Sequence, residues 1–283
     1  MLALCWQGRS KEYINLKILN KIFVVTGGGN GIGRELVLSL LSKGASIAAV
    51  DINQGFLEET VKLSGEKKDK LSTHLVNIAD REAVEGLPDQ IISKHGAVDG
   101  IINDAGIIQP FLKVNDLDYE AIKQVMDVNF YGTLYMTKAF LPHLLARPEA
   151  HIVNISSMGG FLPVPGQTIY GASKSAVKLF TEGLSSELMN TRVRVMAVFP
   201  GAIATNIAAN SGVESSLQID KGQVSIKMLT PQKAAQIIID GIEQNRHRVL
   251  VGSDSKFMDF IYRLSPLRSA KLISTQMKSL LEL

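Results

Sequence analysis

Tyr170-Gly171-Ala172-Ser173-Lys174 begins a helical stretch, and a Tyr and a Lys four positions apart share one face of a helix. An ammonium held beside a phenol favours the phenolate and so lowers the phenol's pKa from its ordinary ~10. A phenol in that setting can take a proton from an alcohol or give one to a carbonyl. The spacing alone does not single this pair out, because Tyr13/Lys17 and Tyr119/Lys123 repeat it. What sets the third pair apart is Ser157, thirteen residues before Tyr170 at the end of the apolar run 151–156. Neither other tyrosine has a serine at that offset, and both other pairs read as solvated helix-surface pairs.

A second constellation lies near the other end of the chain. Thr26-Gly27-Gly28-Gly29-Asn30-Gly31-Ile32-Gly33 follows the apolar run 22–25 and opens the helical pattern from Arg34 to Leu41. A strand that turns on glycines into a helix presents bare N–H groups and a positive helix end at one point, which suits a pyrophosphate. Asp51 closes the next apolar run, eighteen residues after Gly33, where a carboxylate can hold a ribose diol. Together they read as a nicotinamide-dinucleotide site. Without a ligand, the same residues would be a tight strand-to-helix turn, and Asp51 a turn former before Asn53-Gln54-Gly55.

The glycine spacing is Thr-Gly-x-x-x-Gly-x-Gly, and with the segments after it the chain resembles the short-chain dehydrogenase/reductase family over about residues 16–252. Asn154-Ile155-Ser156-Ser157 followed by Tyr170-x-Ala172-Ser173-Lys174 is similar to that family's active site, and Val128-Asn129-Phe130-Tyr131-Gly132 to its Asn-x-x-Gly segment. The resemblance implies Ser157 as the hydroxyl that holds the substrate oxygen and Tyr170 as the acid/base. It makes Lys174 the group that binds the nicotinamide ribose and lowers the phenol pKa, and Asn129 the holder of a water in a proton relay. Ser156 rivals Ser157, and the thirteen-residue offset favours Ser157. Taken alone, Asn129 reads first as a helix-bending polar group bonded to backbone.

By the same resemblance the cofactor is NAD. It would be held by Gly27, Asn30, Gly31, Ile32 and Gly33 in the loop, by Asp51 at the ribose, and by Asn77 and Ile78 at the adenine. Asn103, Ala105 and Gly106 would follow, then Pro200, Gly201, Ile203 and Thr205 at the carboxamide, with Tyr170 and Lys174 shared with the chemistry. Asp51 would repel the 2′-phosphate of NADP, and Asn30 is neutral where an NADP-preferring loop often carries a basic side chain. Three positions depart from the family's pattern. Asp104 stands for a second Asn, leaving Asn103 as the member expected to face the cofactor; Asn77 stands for an Asp, and Phe199 for an Asn before Pro200-Gly201.

These groups need a scaffold, and the chain alternates short β-branched runs with longer helical patterns. Strands are expected at 22–26, 45–51, 71–77, 100–103, 151–156, 194–199 and 249–252, and helices at 31–43, 81–94, 119–145, 169–189 and 231–244. Near-continuous apolar strands alternating with helices predict an α/β fold, a doubly wound parallel sheet of about seven strands, Rossmann-type, with its ligand crevice at the strands' carboxyl ends. All the motifs above fall at such ends. The expected organisation is an N-terminal arm at 1–15, one oxidoreductase domain at 16–252, and a short helical extension at 253–283.

Composition adds exclusions. With 283 residues and 46% hydrophobic content the chain can bury a full core. A net charge of +3 gives no case for nucleic acid. One cysteine, Cys5, and five scattered histidines give no disulfide and no metal set. No apolar run approaches a membrane span, so a cytoplasmic location is the default. The expected reaction interconverts a secondary alcohol and a ketone. Ile107-Ile108 and Phe161-Leu162-Pro163-Val164-Pro165 suggest an apolar cleft for a lipid-like substrate, and 206–227 a lid over it. A non-catalytic NAD-binding regulatory or scaffold module on the same fold is the alternative. Met136, Phe140, Leu141 and Leu144, more apolar surface than one sheet contact needs, suggest a homodimer or homotetramer. In the tail, Phe257, Phe260, Ile261 and Leu264, then Ile273, Met277, Leu280 and Leu281, line apolar helix faces beside Lys and Arg. That face either packs on protein or makes a peripheral membrane contact.

Overall fold

The computed structural model describes residues 18–213 and 228–276. Its frame is a seven-stranded, all-parallel sheet in the order β3-β2-β1-β4-β5-β6-β7. The strands are β1 (Ile22–Thr26), β2 (Ser46–Asp51), β3 (Leu71–Leu75), β4 (Gly100–Asn103), β5 (Ala150–Ile155), β6 (Val193–Pro200) and β7 (Arg248–Val251). β2 and β3 step away from β1 in one direction, and β4 returns to its other side with Thr26 beside Asn103. That reversal between β1 and β4 opens a crevice at the carboxyl ends.

Helices cover both faces, because each strand sends alternate side chains to opposite sides. On one face Phe23 and Val25 pack with Leu36, Val37 and Leu40 of α1 (Gly31–Ser42), Leu57 of α2 (Gln54–Ser64), and the α9 residues given below. On the other, Val24 and Ile101 pack with Val84 of α3 (Arg81–Glu85), Leu87 and Ile91 of α4 (Leu87–His95), and two later helices. The single helix expected over 81–94 breaks at Gly86. Pro88, which has no N–H to give to a preceding turn, lies at the start of the second piece.

The stretch 119–145 is likewise not one regular helix. α5 (Tyr119–Met126) passes through a π-helical turn, Asp127–Gly132, into α6 (Thr133–Leu145). Met136, Phe140 and Leu144 of α6 are fully buried against the sheet, and Leu141 packs at the edge of the same core. They are consumed within the chain, which corrects the expectation that they form surplus surface for a second copy. The exposed large apolar side chains of this region are Tyr119, Tyr131 and Leu145, with Leu179 on α7 (Thr168–Glu187).

Beyond β6, α8 (Ile207–Asn210) borders the crevice, and residues 214–227 of the expected lid lie outside the described residues, as does the N-terminal arm. α9 (Pro231–Glu243) lays Ala234, Ala235, Ile238, Ile239 and Ile242 on the first face. The described residues end in α10 (Ser253–Leu264) and α11 (Pro266–Gln276). α10 faces inward through Ser255, Met258 and Asp259, leaving Phe257, Phe260 and Leu264 57–69% exposed. The apolar face read from the sequence is therefore not what packs on the protein. Ile273 is buried as part of the small cluster of Leu162 and Met258, while Met277, Leu280 and Leu281 lie outside the described residues.

Candidate active site

At the carboxyl end of β1 the backbone turns through left-handed conformations at Gly27 (φ +68°) and Gly31 (φ +56°), which glycine adopts freely. Gly33 serves a different purpose. A Cβ there would stand 2.1 Å from the Gly27 carbonyl oxygen, so it lets helix and loop close on each other and does not line the crevice. Asn30 caps α1, its side-chain oxygen accepting from the Gly31 N–H at 2.7 Å. Asp51 lies beside this loop at the end of β2, with one carboxylate oxygen accepting from the Gly29 N–H (2.9 Å) and the other from the Asn53 N–H (3.0 Å). Asn77 and Ile78 border the same crevice, as do Ile32, Ala105, Gly106, Pro200, Gly201, Ile203 and Thr205. Its volume is about 690 Å³, room for a dinucleotide and a small substrate.

Asn103 departs from its expected place. Its amide is 3% exposed and donates to Asn154 (2.8 Å) and Thr137 (3.3 Å), tying β4 to β5 and α6. The crevice wall receives Asp104 instead. The Asp104 backbone N–H is fixed by the Thr26 hydroxyl (3.0 Å), and its carboxylate accepts from the Gly33 N–H. Burial raises that carboxyl to about 7, opposed by the nearby Lys174 charge and the Gly33 hydrogen bond, with Asp51 adding a smaller push upward.

Ser157, Tyr170 and Lys174 meet at the far end of the same crevice. The Ser157 hydroxyl hydrogen-bonds the Tyr170 phenol and accepts from the Gly159 N–H at 3.0 Å. Ser156, its rival in the sequence, gives its hydroxyl to the Lys174 carbonyl (2.7 Å). Lys174 is 4% exposed, donates to the Ile155 carbonyl (3.0 Å), and places its Nζ 6.0 Å from the Tyr170 ring centre. Burial lowers its ammonium to about 8, with Asp104 opposing. The Tyr170 phenol is pushed above its ordinary value, first by burial, with Ser157 opposing and Asp104 adding. The lowering expected from Lys174 is not among the influences on the phenol in the protein on its own, where burial dominates.

Asn129 is fully buried in the π-helical turn, a distortion that recurs at functional sites. Its side chain holds the loop after β4 from both sides: Oδ1 accepts from the Ile107 N–H (2.9 Å), and Nδ2 donates to the Ile107 carbonyl (3.0 Å) and the Ser173 hydroxyl (2.9 Å). It does not line the crevice, yet Asn129 Oδ1 and Lys174 Nζ both adjoin Gly106, where a Cβ would stand 3.1 and 3.0 Å from them. Tyr119 is 84% exposed and Lys123 pairs with Asp127, so that pair is a surface pair, while Tyr13 and Lys17 lie outside the described residues.

Residues 21–215 match the family described as short chain dehydrogenase. This chain belongs to that family. It is similar to SadH of Mycobacterium tuberculosis, named as an oxidoreductase, with 36% identity over 250 residues covering 86% of this chain and 90% of the relative. It also resembles a short-chain dehydrogenase/reductase of Burkholderia phymatum solved with NAD, at 26% identity and a TM-score of 0.76, covering 83% and 90% of the two chains. A Burkholderia cenocepacia short-chain dehydrogenase solved with NADP shares the fold at 24% identity and a TM-score of 0.76, covering 91% and 99%.

Two parts of this short-chain dehydrogenase escaped the sequence reading. Gln109, fully buried, accepts from the Ile169 (2.7 Å) and Tyr170 (3.0 Å) N–H groups and donates to the Gly166 carbonyl (3.0 Å). Its own carbonyl accepts from the Gln167 amide at 2.8 Å. The N-cap of α7, Gln167, makes no capping bond, so a side chain from another loop caps this helix. Only a glutamine after Ile107-Ile108 marks this in the sequence. Secondly, Phe161 and Leu162 turn away from the crevice. Phe161 packs at a tilt against the Phe199 and Tyr262 rings, and Leu162 packs with Met258 and Ile273. This accounts for Phe199, which is fully buried with the Arg248 guanidinium 4.6 Å over its ring. Arg248 in turn makes two bonds to Asp259 (2.7 and 2.9 Å) and locks α10 down.

Proposed function

We propose that the protein moves a hydride between NAD(H) and a secondary alcohol or its ketone. The observation that carries this reading is that Ser157, Tyr170 and Lys174 share one crevice with the glycine loop and Asp51. A bound nicotinamide would supply the hydride donor or acceptor. Ser157 would hold the substrate oxygen by a hydrogen bond, and Tyr170 would exchange a proton with it. Lys174 would hold the ribose hydroxyls, and Asn129, next to it across Gly106, would order the path by which protons return. With burial raising the phenol pKa, the lowering needed at working pH would come from the positive nicotinamide ring added to Lys174. Ile107, Ile108, Ile207 and Ala209 on the crevice wall favour an apolar substrate.

NAD is favoured over NADP because Asp51 sets a carboxylate at the ribose end. Arg34, the basic side chain in the first turn of α1, is already held by the Gly29 carbonyl (2.7 Å) and Glu59 (2.6 Å). Like charges brought together there cost several kcal/mol. Steady-state turnover of a panel of apolar ketones with NADH and with NADPH tests the reading. The expected result is kcat/KM at least about tenfold higher with NADH. A preference for NADPH would overturn the cofactor assignment. Tight NADH binding with no turnover of any alcohol or ketone would favour the non-catalytic module.

The unit at 16–252 would act as a homodimer or homotetramer through the exposed Tyr119, Tyr131 and Leu179. The C-terminal helices would make a peripheral contact with an anionic bilayer. Phe257, Phe260, Leu264 and Leu267 are exposed beside Lys256, Arg263, Arg268 and Lys271, while both acids of α10 turn inward, Asp254 to the Ala202 N–H and Asp259 to Arg248. No described helix is long and apolar enough to cross a membrane. Co-sedimentation with phosphatidylserine-containing vesicles at low salt should retain the protein and release Phe257→Ser/Phe260→Ser. No sedimentation, or a loss of oligomer in that variant, would assign the patch to protein contacts.

A further inference from the structure

We propose that Asp104 is a binding determinant for the cofactor's pyrophosphate, and that the crevice takes this anion with Asp104 in its neutral form. The proposal rests on the dinucleotide reading of the crevice. Asp104 stands where the resemblance leads one to expect an amide, and its carboxylate lies against the loop that must receive the anion. A Cβ at Gly33 would come within 2.9 Å of Asp104 Oδ2, and one at Gly27 within 3.5 Å. Five groups face it. The Gly33 N–H at the start of α1 donates to it, and the Thr26 hydroxyl of β1 holds its backbone. Asp51 acts from the end of β2, and Lys174 and Tyr170 from α7.

The Gly33 N–H belongs to the helix end that would otherwise be free for an anionic ligand, so an ionised Asp104 occupies that end with charge of the ligand's own sign. A neutral Asp104 keeps the hydrogen bond and drops the charge. With its carboxyl at about 7 and Lys174 at about 8, the local charge steps from +1 to 0 to −1 as pH rises through that window. An incoming anion opposes ionisation of Asp104, so binding above pH 7 draws in a proton, and affinity falls as pH rises by at most about tenfold per unit for one proton. An amide at this position could not do this. In Asp104→Asn the local charge only steps from +1 to 0, as Lys174 titrates.

The test uses ADP-ribose, which carries the pyrophosphate without the nicotinamide ring, titrated into the full-length protein and Asp104→Asn by calorimetry between pH 6 and 9. The two proteins should bind alike at pH 6, and the wild type should be weaker by about tenfold at pH 8.5. Comparing buffers of different ionisation enthalpy at pH 7.5 should show more proton uptake in the wild type than in the variant. Lys174 loses its ammonium earlier once Asp104 is gone, which works against the expected ratio and so cannot create it. A ratio of affinities constant with pH, or a variant weaker at every pH, would overturn the proposal alone. Failure of both proteins to bind ADP-ribose at any pH would overturn the dinucleotide reading and the proposal with it.

Discussion

On the glycine-loop side of the crevice the working groups belong mostly to the backbone: N–H groups of Gly29, Gly31 and Gly33, each met by a short side chain. On the Tyr170 side they belong to side chains, and those are held in turn by buried amides and hydroxyls. Asn129 fixes the Ile107 loop and Ser173, Asn103 and Asn154 bridge β4, β5 and Thr181 of α7, and Gln109 holds the start of α7. The first side is shaped by what is left out, since any Cβ at Gly33 meets backbone. The second is shaped by what is put in, since each polar group there is buried and must find a partner. One side should therefore fail by overlap, the other by a lost hydrogen bond.

The largest effect expected on this contrast is chemical. Tyr170→Phe keeps the ring and removes the hydroxyl, so kcat should fall by ~10² or more. NADH affinity, expected to rest on the glycine-loop side and on Lys174 rather than on the phenol, should stay within about twofold. Stopped-flow turnover alongside NADH fluorescence titration measures both, and a variant that loses cofactor affinity in step with kcat would show that the two sides are not separable.

A smaller effect is expected at the loop. In Gly33→Ala the new methyl meets the Gly27 carbonyl oxygen at 2.1 Å, forcing a backbone shift that costs roughly 1–3 kcal/mol. Melting temperature should fall and NADH affinity with it. Gly183→Ala on α7 is the control, because a Cβ there meets nothing within 4 Å and helical propensity rises by ~1 kcal/mol. Equal behaviour of the two variants would remove overlap as the reason for the glycine.

The same contrast explains what could be read in advance. Glycines at required spacing leave a local trace, as does Asp51 at a strand end, so the loop, the run of seven parallel strands between helices and the Ser157–Tyr170–Lys174 grouping were legible. Strand ends missed by only a few residues. The break at Gly86 has its mark in Gly86 and Pro88, whereas Asn129, in the π-helical turn, is held by Ile107 and Ser173, partners far off in sequence. Asn103 was expected at the crevice where Asp104 stands, because adjacent residues at a strand end point opposite ways and which one points into the crevice depends on neighbours far in sequence, Thr26 and Asn154. The tail's apolar face left packing on protein and contact with a membrane both open, and the anchors that hold α10 are polar: Asp259 on Arg248, and Ser255 on the Phe199 carbonyl (2.8 Å). Gln109 lies sixty residues from the groups that it holds, beyond the reach of any local pattern.

Gln109 also gives the finest test of the contrast. Gln109→Met keeps the length and volume of the side chain but leaves the Ile169 and Tyr170 N–H groups and the Gly166 carbonyl without their partner. Buried groups stripped of a hydrogen bond cost about 1–3 kcal/mol, so stability should fall by that order. If Gln109 does no more than hold the fold, kcat will be nearly unchanged at temperatures where the variant is folded. If it positions Tyr170, the first turn of α7 will loosen and the phenol will no longer be held against Ser157. Then kcat should fall about tenfold with NADH affinity unchanged, and the pH at which kcat rises should move, because the Ser157 hydrogen bond helps to set the phenol's proton affinity. A lowered melting temperature with an unmoved pH profile would confine Gln109 to the fold and leave Tyr170 positioned by its own helix.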